Sequence, residues 1–351
     1  MSTNVTPAAK APAKAPPTAI EQAALRKLPA GWRVIAAKEF ADHVVSVRFV
    51  IVLLVLGLAA AIPLYFAADQ IRNAAQTATN VPAVFLYLFT IPPENLDILR
   101  VDRFVGIVAP LLGLAFAFDA VNSERAEGTL PRLLSQPIYR DDVINGKFVA
   151  GLGVIGIVLV SVVLLIAGFG MFRLGIVPHG PEVPRLIAWV AVTFLYVALW
   201  LSFGLLLSVA IHRAATAALV GFGVWLLLTI FGPLIVALVS GLFTPAASAT
   251  VDQQLGSIQT QEWVARILPG TLYEEVTRVI LHPNLSQVST PATIGQFIQG
   301  QSQIPPEINP GVFSLDQSLL LVWPQLVVLV ALTVACFAAA YVLFMRQEVR
   351  A

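Results

Sequence analysis

The chain has 351 residues, of which 58% are hydrophobic and only 12% charged, and its formal net charge is +1. Soluble domains carry about 25% charged residues, so this composition excludes a soluble globular protein and indicates a polytopic membrane protein. A net charge this close to zero, without any basic run, also excludes a nucleic-acid partner.

The N-terminal region divides into a tail and a helix. Residues 1–30 are rich in Ala, Pro and Lys and lack the apolar core of a signal peptide, which predicts a flexible cytoplasmic tail before a transmembrane domain at 31–351. The apolar residues that follow share one helical face: Trp32, Ile35, Phe40, Val44 and Val47. The polar residues off that face are Lys38, Glu39 and Asp42. This pattern predicts an amphipathic elbow helix on the inner leaflet; the alternative is an extension of the first span into water.

Six runs are long and apolar enough to cross about 30 Å of hydrocarbon, which takes about 20 residues of helix. They cover residues 48–67, 103–121, 147–172, 186–210, 215–240 and 318–345. Placing both termini and the loop at 119–147 in the cytoplasm puts 14 of the 21 Lys and Arg residues inside, including all five lysines. The positive-inside rule therefore predicts this orientation.

The spans offer little for chemistry. Residues 148–172 and 186–211 contain no charged side chain, whereas an intramembrane enzyme or proton-coupled carrier needs ionisable groups at membrane depth. No zinc-binding HExxH, GxSxG elbow or GxxxxGK[ST] phosphate loop occurs. The single Cys336 and four scattered histidines predict no metal site and no cofactor bound by this chain.

The loop at 119–147 holds nine charged residues between two apolar runs. We expect the second span to continue as helix through 122–127 and to end at Gly128, which suits a left-handed C-terminal position. Thr129 then caps a short helix that Pro137 ends. Leu130, Leu133 and Leu134 share one face of that helix, while Arg132 points elsewhere. Asp141 and Asp142 are placed at the N-terminus of the third span, where the helix dipole favours negative charge.

The run FDAVNSERAEGTLPRLLSQPIYRDDVINGKFVAG resembles the signature of the membrane subunits of type 2 ABC exporters. AAKEFADHVVSVRF resembles the elbow helix of that family, and IHRAATAALVGFGVW resembles its turn between spans four and five. The chain is similar to six-span permeases such as the one that assists nitrous-oxide-reductase maturation.

The resemblance implies a permease in the plasma (inner) membrane of a prokaryote, where a separate cytoplasmic ABC ATPase binds ATP and Mg²⁺. It also implies a second permease copy, identical or homologous. It assigns ATPase coupling to Glu124, Arg125, Glu127, Gly128, Thr129, Leu130, Arg132, Leu133, Leu134, Ser135, Pro137 and Arg140. The elbow residues it singles out are Trp32, Lys38, Glu39 and Phe40.

The outward segment at 241–317 is rich in Gln, Thr, Ser and Pro. Thr271 and Glu274 have the spacing of a capping box, which predicts a helix that begins after Thr271 and runs to His282. The apolar stretch from Trp263 to Leu268 is expected to pair with that helix. The two helices either dip into the outer leaflet and line an exit or cap the bundle at its surface. Residues 81–93 are too short to span and are predicted to lie in the outer interface.

These patterns predict an all-α integral membrane protein with six spans, an elbow helix and short outward helices. The leading function is the permease subunit of an ATP-driven exporter. The alternative is a transmitter that passes ATPase-driven motion to a periplasmic or extracellular protein. A membrane enzyme is disfavoured, because the spans lack ionisable groups.

Overall fold

The computed structural model describes residues 30–77, 84–90, 100–129, 139–242, 259–282 and 314–347. The described residues form helices and a few short turns, with no β-strand among them. The α-helices are α1 (Gly31–Val45), α2 (Val47–Thr77), α3 (Tyr87–Thr90), α4 (Val101–Ala117), α5 (Asn122–Ala126), α6 (Arg140–Phe169), α7 (Glu182–Ala210), α8 (Ala214–Leu226), α9 (Gly232–Gly241), α10 (Pro269–Leu281) and α11 (Leu315–Arg346). Residues 259–265 are also helical.

Six helical segments in the described residues are long and apolar enough to cross a membrane, which confirms the predicted number and order of spans. They are α2, α4 with α5, α6, α7, α8 with α9, and α11. One turn of π-helix continues α6 at Gly170–Leu174, and another joins α8 to α9 at Leu227–Phe231. Most spans extend beyond the predicted bounds because their polar terminal turns are helical too. Asp141 and Asp142 lie in the first turn of α6, as predicted.

The fourth span, α7, lies at the centre of the bundle and packs against α4, α6, α10 and α11. Glycines allow α4 and α7 to approach closely. A Cβ at Gly113 would lie 2.6 Å from the Val197 carbonyl oxygen, and one at Gly204 would lie 2.8 Å from Ala117 Cβ. The fifth and sixth spans lie at the periphery and expose most of their apolar side chains. Such faces are suited to lipid.

Ser46 separates the elbow helix α1 from the first span. Its backbone is extended, with ψ 146°, and its hydroxyl accepts a hydrogen bond from the Phe49 amide at 3.2 Å. Ser46 therefore acts as the N-cap of α2. The elbow helix and the first span are therefore separate helices, which does not decide between an inner-leaflet helix and an extension of the first span into water. The placement of α1 on the inner leaflet stays a prediction.

Residues 84–90 are the described part of the predicted interfacial stretch, and Phe85, Leu86, Leu88, Phe89 and Thr90 are buried within the bundle. The Phe85 amide donates to Glu182 Oε1 at 2.7 Å, and the Phe89 ring packs edge-on against Trp189 at 5.2 Å between centroids. Leu88 contacts the backbone at Gly170. The apolar side chains of this stretch therefore contact other helices at the end of the bundle where α7 begins, and its placement at the depth of the outer interface stays a prediction.

Candidate functional site

The loop end is the end of the bundle where α5 ends and α6 begins, together with α1, the start of α2 and the ends of α7 and α11. The opposite end is called the far end. The second span does not continue unbroken into the loop as predicted. Its helix ends at Ala117, residues 118–121 form a turn, and α5 follows. The break has a physical reason, since the α5 N-terminus is capped from α7 rather than by α4: the Val121 amide donates to Ser208 Oγ at 3.0 Å.

Gly128 reverses the chain after α5. Its φ is 67°, the left-handed conformation that the sequence predicts there. The Gly128 amide donates to the Arg125 carbonyl at 3.2 Å, and the Thr129 amide donates to the Glu124 carbonyl at 2.9 Å. These two bonds are the pair of the Schellman motif. We call residues 119–129 the first stem of the loop and residues 140–147, at the start of α6, its second stem. The first stem therefore ends in a fixed geometry at Thr129.

Three charged side chains join α1, α5 and α6, and we call them the charged cluster: Glu39, Glu124 and Lys147. The Lys147 side chain is only 4% exposed, and its Nζ lies 2.8 Å from Glu124 Oε1 and 3.1 Å from Glu39 Oε1. Lysines are almost never this buried unless they are paired. One ammonium group thus connects the elbow helix to both stems of the loop.

The neighbouring Gly146 allows α1 to lie directly on α6. A Cβ there would lie 2.7 Å from Ile35 Cγ2 and 2.9 Å from the Trp32 carbonyl oxygen. One turn further along the elbow helix, Phe40 packs against Gly153, where a Cβ would be 3.1 Å from the ring. The Gly-Lys pair at 146–147 thus has two roles: the glycine permits contact, and the lysine supplies the ion pairs.

A second ion pair joins the start of the first span to the loop. Arg48 Nη1 lies 2.5 Å from Asp119 Oδ2. His43 lies close by and packs edge-on against the Phe116 ring, 5.3 Å between centroids. Burial lowers the pKa of His43; Lys147 and Arg48 act in the same direction, and Glu39 and Asp119 oppose it. His43 is therefore neutral at pH 7.

The C-terminal end of α11 binds both stems of the loop. Arg140 donates to the carbonyl oxygens of Phe344 at 3.1 Å and Gln347 at 2.8 Å. Arg125 donates to the Gln347 side chain and, at 3.3 Å, to the Val209 carbonyl. Cations are favourable at a helix C-terminus, where the last carbonyls lack intrahelical partners. The loop stems are thereby fixed to the sixth span as well as to the elbow helix.

At the far end, α10 is fixed to spans four and six. Arg185 donates to the Ile280 carbonyl at 2.9 Å and to Ser318 Oγ at 3.2 Å. Gln325 of α11 donates to Glu275 Oε2 at 2.8 Å. The Tyr273 hydroxyl is hydrogen-bonded to a threonine of α7, and burial raises the pKa of Tyr273 to about 12.

The predicted capping box at Thr271 and Glu274 is wrong. The helix begins three residues earlier than predicted, at Pro269, with Leu268 as N-cap and without a side-chain cap. Proline suits the first helical position because its φ is already helical and its missing N–H would have no partner there. Glu274 instead lines a cavity together with Arg103. Trp263, in the helical segment before α10, is 69% exposed.

A family model described as "ABC-2 family transporter protein" matches residues 33–349. The chain belongs to the ABC-2 transporter family. It is 30% identical over 145 residues to a probable ABC transporter permease protein, NosY, from Stutzerimonas stutzeri. That match covers 39% of this chain and 51% of the relative, so it spans about half the length of the curated relative. This ABC-2 chain is accordingly a multi-pass membrane component, and its family implies a partner ATPase subunit.

The structure brings part of the predicted coupling site together. Glu124, Arg125 and Arg140 contact other helices at the loop end, and Gly128 and Thr129 form the turn, while Glu127 is exposed. The remaining predicted residues lie outside the described part of the chain: Leu130, Arg132, Leu133, Leu134, Ser135 and Pro137. The short amphipathic helix therefore stays a prediction.

The elbow helix of this ABC-2 chain departs from its predicted polar face at one residue. Lys38 and Asp42 are exposed and paired at 3.5 Å. Glu39, predicted to lie off the apolar face, is instead 15% exposed and bound to Lys147. An acid beside an apolar face can be buried when a cation from another helix approaches it, and the pattern of one helix does not show that cation.

Several residues that hold the loop end together are not singled out by any pattern in the sequence. The partners of the loop on other helices are Arg48, Ser208, Val209, Phe344 and Gln347. Among the residues that bind the loop stems, Lys147 is the one whose sequence context suggests a specific role, because it is the only lysine after Lys38 and begins an apolar run. Serine and glutamine near the ends of spans are common and suggest no specific role.

Proposed function

We propose that this chain is the permease subunit of an ATP-driven exporter in the plasma membrane of a prokaryote, with both termini in the cytoplasm. A separate cytoplasmic ATPase closes on ATP and Mg²⁺ and moves the loop at 119–147. This chain supplies no catalytic residue in that cycle; it converts the motion of the ATPase into movement of its spans. A second permease copy completes the pathway.

The observation that supports this proposal most strongly is the way the loop is held. Its first stem is bound through Glu124 and Arg125, and its second stem through Arg140 and Lys147, to helices α1, α7 and α11. A loop whose stems are fixed to several helices cannot move alone. A push on it displaces those helices together, which is the behaviour that coupling to an ATPase requires.

The test uses two glycines with the same backbone conformation at opposite ends of the bundle. Gly128 has φ 67° and Gly175 has φ 70°, and a Cβ at either position would meet none of the described residues within 4 Å. Valine at each therefore imposes the same strain, about 1–2 kcal/mol for a left-handed residue, without a steric clash. We expect Gly128→Val to misdirect the residues after the turn and Gly175→Val to leave them unchanged.

The measurement is co-purification of the ATPase and substrate-stimulated ATP hydrolysis in reconstituted membranes. Gly128→Val should express at near-normal levels but lose assembly or stimulation, while Gly175→Val should retain both. Equal behaviour of the two variants would remove the coupling role from the loop. The purified chain alone should not hydrolyse ATP. Hydrolysis by it would contradict the proposal that a separate subunit carries the ATPase activity.

A second candidate function is force transmission to an extracytoplasmic protein, and the course of α11 favours it. This 32-residue helix contacts the first loop stem through Gln347, directly after its last residue, and α10 through Gln325, in its first third. At 1.5 Å per residue the helix is about 48 Å long, so it links the two ends of the bundle directly. Export predicts that a small or lipidic substrate stimulates hydrolysis. Transmission predicts that a soluble extracytoplasmic protein does so instead.

A further inference from the structure

A charged cavity lies at the far end between the start of α4 and α10. Its volume is about 80 Å³, and arginines from both helices line it: Arg100 and Arg103 on one side and Arg278 on the other. Asp102 and Glu274 supply the acids. A single water needs roughly 10–15 Å³, so the cavity has room for a group larger than one water. We call it the arginine cavity.

The arginines of this cavity are not equivalent. Arg100 is committed to Asp102, with Nε and Oδ1 3.0 Å apart. Within the described part of the chain, Arg103 and Arg278 form no ion pair, and neither does Glu274. Among the described residues, the exposed guanidinium groups of Arg103 and Arg278 and the half-buried carboxyl group of Glu274 therefore line the cavity without an ion pair closer than 4 Å. Its formal charge is positive even when Glu274 is ionised.

We propose that the arginine cavity binds a phosphate group. Guanidinium groups offer paired N–H donors that match phosphate oxygens, and two of them come from different helices with space between them. The cavity also adjoins the N-terminus of α4, a 17-residue helix whose dipole favours negative charge. A cation would meet two guanidinium groups and is disfavoured.

The surroundings favour a phospholipid as the source of that phosphate. A larger cleft of about 350 Å³ adjoins the cavity and shares Glu274 and Arg278 with it. Pro233 and Val236 of α9 and Leu268 form an apolar wall of this cleft, and the polar residues Gln261, Glu262, Thr271 and Glu275 line its other side. The cavity lies where the second span begins, which is the level of the headgroups. A phosphate held by the arginines would place the attached glycerol and acyl chains along this wall.

Glu274 makes the sign of the ligand charge testable. Burial raises the pKa of Glu274, while the nearby Arg103, Arg278 and Arg100 oppose that shift and Asp102 adds to it. A bound phosphate is repelled by the ionised carboxylate, so Glu274→Gln should strengthen binding. Loss of either unpaired arginine should weaken it. A cation site would show the opposite signs for all of these variants.

The experiment measures binding to the purified full-length chain, which needs neither the ATPase nor transport and so can fail independently of the proposed function. Delipidated protein in neutral detergent is titrated with dihexanoyl-phosphatidylglycerol in one arm and with inorganic phosphate in the other. Arg103→Gln and Arg278→Gln are tested singly and together. Glu274→Gln is the third variant, and Arg173→Gln is the control. Arg173 is an exposed arginine at the same end that does not line the cavity. Unchanged elution volume and melting temperature verify the fold.

We expect saturable binding of the lipid, weakened about tenfold for each arginine removed, because a charge-assisted hydrogen bond contributes about one such factor. Glu274→Gln should bind more tightly, and Arg173→Gln should match the unaltered protein. Inorganic phosphate that binds equally well with the same variant pattern would support the phosphate site but replace the lipid as its source. Absence of binding in both arms, an equal loss in Arg173→Gln, or reversed signs would overturn the proposal.

Discussion

Replacing Lys147 with methionine removes the only cation that the charged cluster shares between the elbow helix and the loop. Lys147 is 4% exposed, and the two carboxylates it binds are each 15% exposed. Methionine keeps most of the side-chain volume, so the change acts through charge and leaves two nearby carboxylates without this cation. Removal of one partner from a buried ion pair typically destabilises by about 3–5 kcal/mol. We expect a loss in that range for Lys147→Met.

Lys38 provides the matched control, because it pairs with the same Glu39 at 3.5 Å but is 66% exposed. Exposed ion pairs contribute only about 0–1 kcal/mol, so Lys38→Met should be nearly neutral. The assay is SDS-induced unfolding of the purified chain, followed by tryptophan fluorescence and extrapolated linearly. Adding Glu39→Gln and Glu124→Gln to Lys147→Met should recover much of the loss. If Lys147→Met and Lys38→Met unfold alike, the buried cluster does not stabilise the loop end.

Three further predictions concern topology, the end of the sixth span and pH. In a Cys336→Ser background, cysteines at the exposed positions Glu127 and Phe172 should label from opposite sides of the membrane, and same-side labelling would contradict the six-span arrangement. Gln347→Ala removes hydrogen bonds that join α11 to α5 and α7 and should lower the free energy of unfolding by about 1–3 kcal/mol, measured by the same SDS titration. Because the pKa of folded His43 lies below the ordinary value of 6.5, the unfolded chain binds more protons and stability should fall as pH drops below about 6.5. Thermal denaturation from pH 7.5 to 5.5 should show a smaller loss for His43→Gln than for the unaltered chain.

The spans could be predicted from sequence because each is a local, continuous signal. About 20 apolar residues in a row have few alternatives to a membrane helix, and all six runs are helical in the structure. The left-handed conformation of Gly128 and the position of Asp141 and Asp142 in the first turn of α6 could also be predicted from local sequence. The break after Ala117 could not, because the hydroxyl that caps α5 belongs to Ser208, 87 residues away.

The contacts of the candidate site depend on pairings that no short pattern contains. The pattern of the amphipathic helix predicts that Glu39 faces solvent. In the structure Glu39 instead pairs with Lys147, which lies 108 positions later in the sequence. The prediction of Thr271 as N-cap is wrong for a different reason. Proline also suits the start of a helix, and the helix begins at Pro269, two residues before Thr271. Spacing identified which residue types were present at the loop, while the tertiary fold decided which of them meet.

The positions of the buried charged side chains indicate which parts of the helix bundle can move relative to one another. In the described residues, the side chains that are both charged and buried are Asp102, Lys147, Glu182 and Arg185, and each lies within about two turns of the start of a span. A charge at mid-membrane would be expensive, whereas one near a helix end still finds partners and water. Contacts of buried charged groups therefore join the helices at their ends, and apolar packing fills most of the middle, where a hydrogen bond from Trp225 Nε1 to the Ile107 carbonyl at 3.0 Å links the fifth span to the second. Apolar surfaces can slide by small steps without breaking specific bonds, but the ends cannot. We expect the helices tied at the loop end to shift as one body, with rearrangement confined to their apolar middles and to contacts with a second copy.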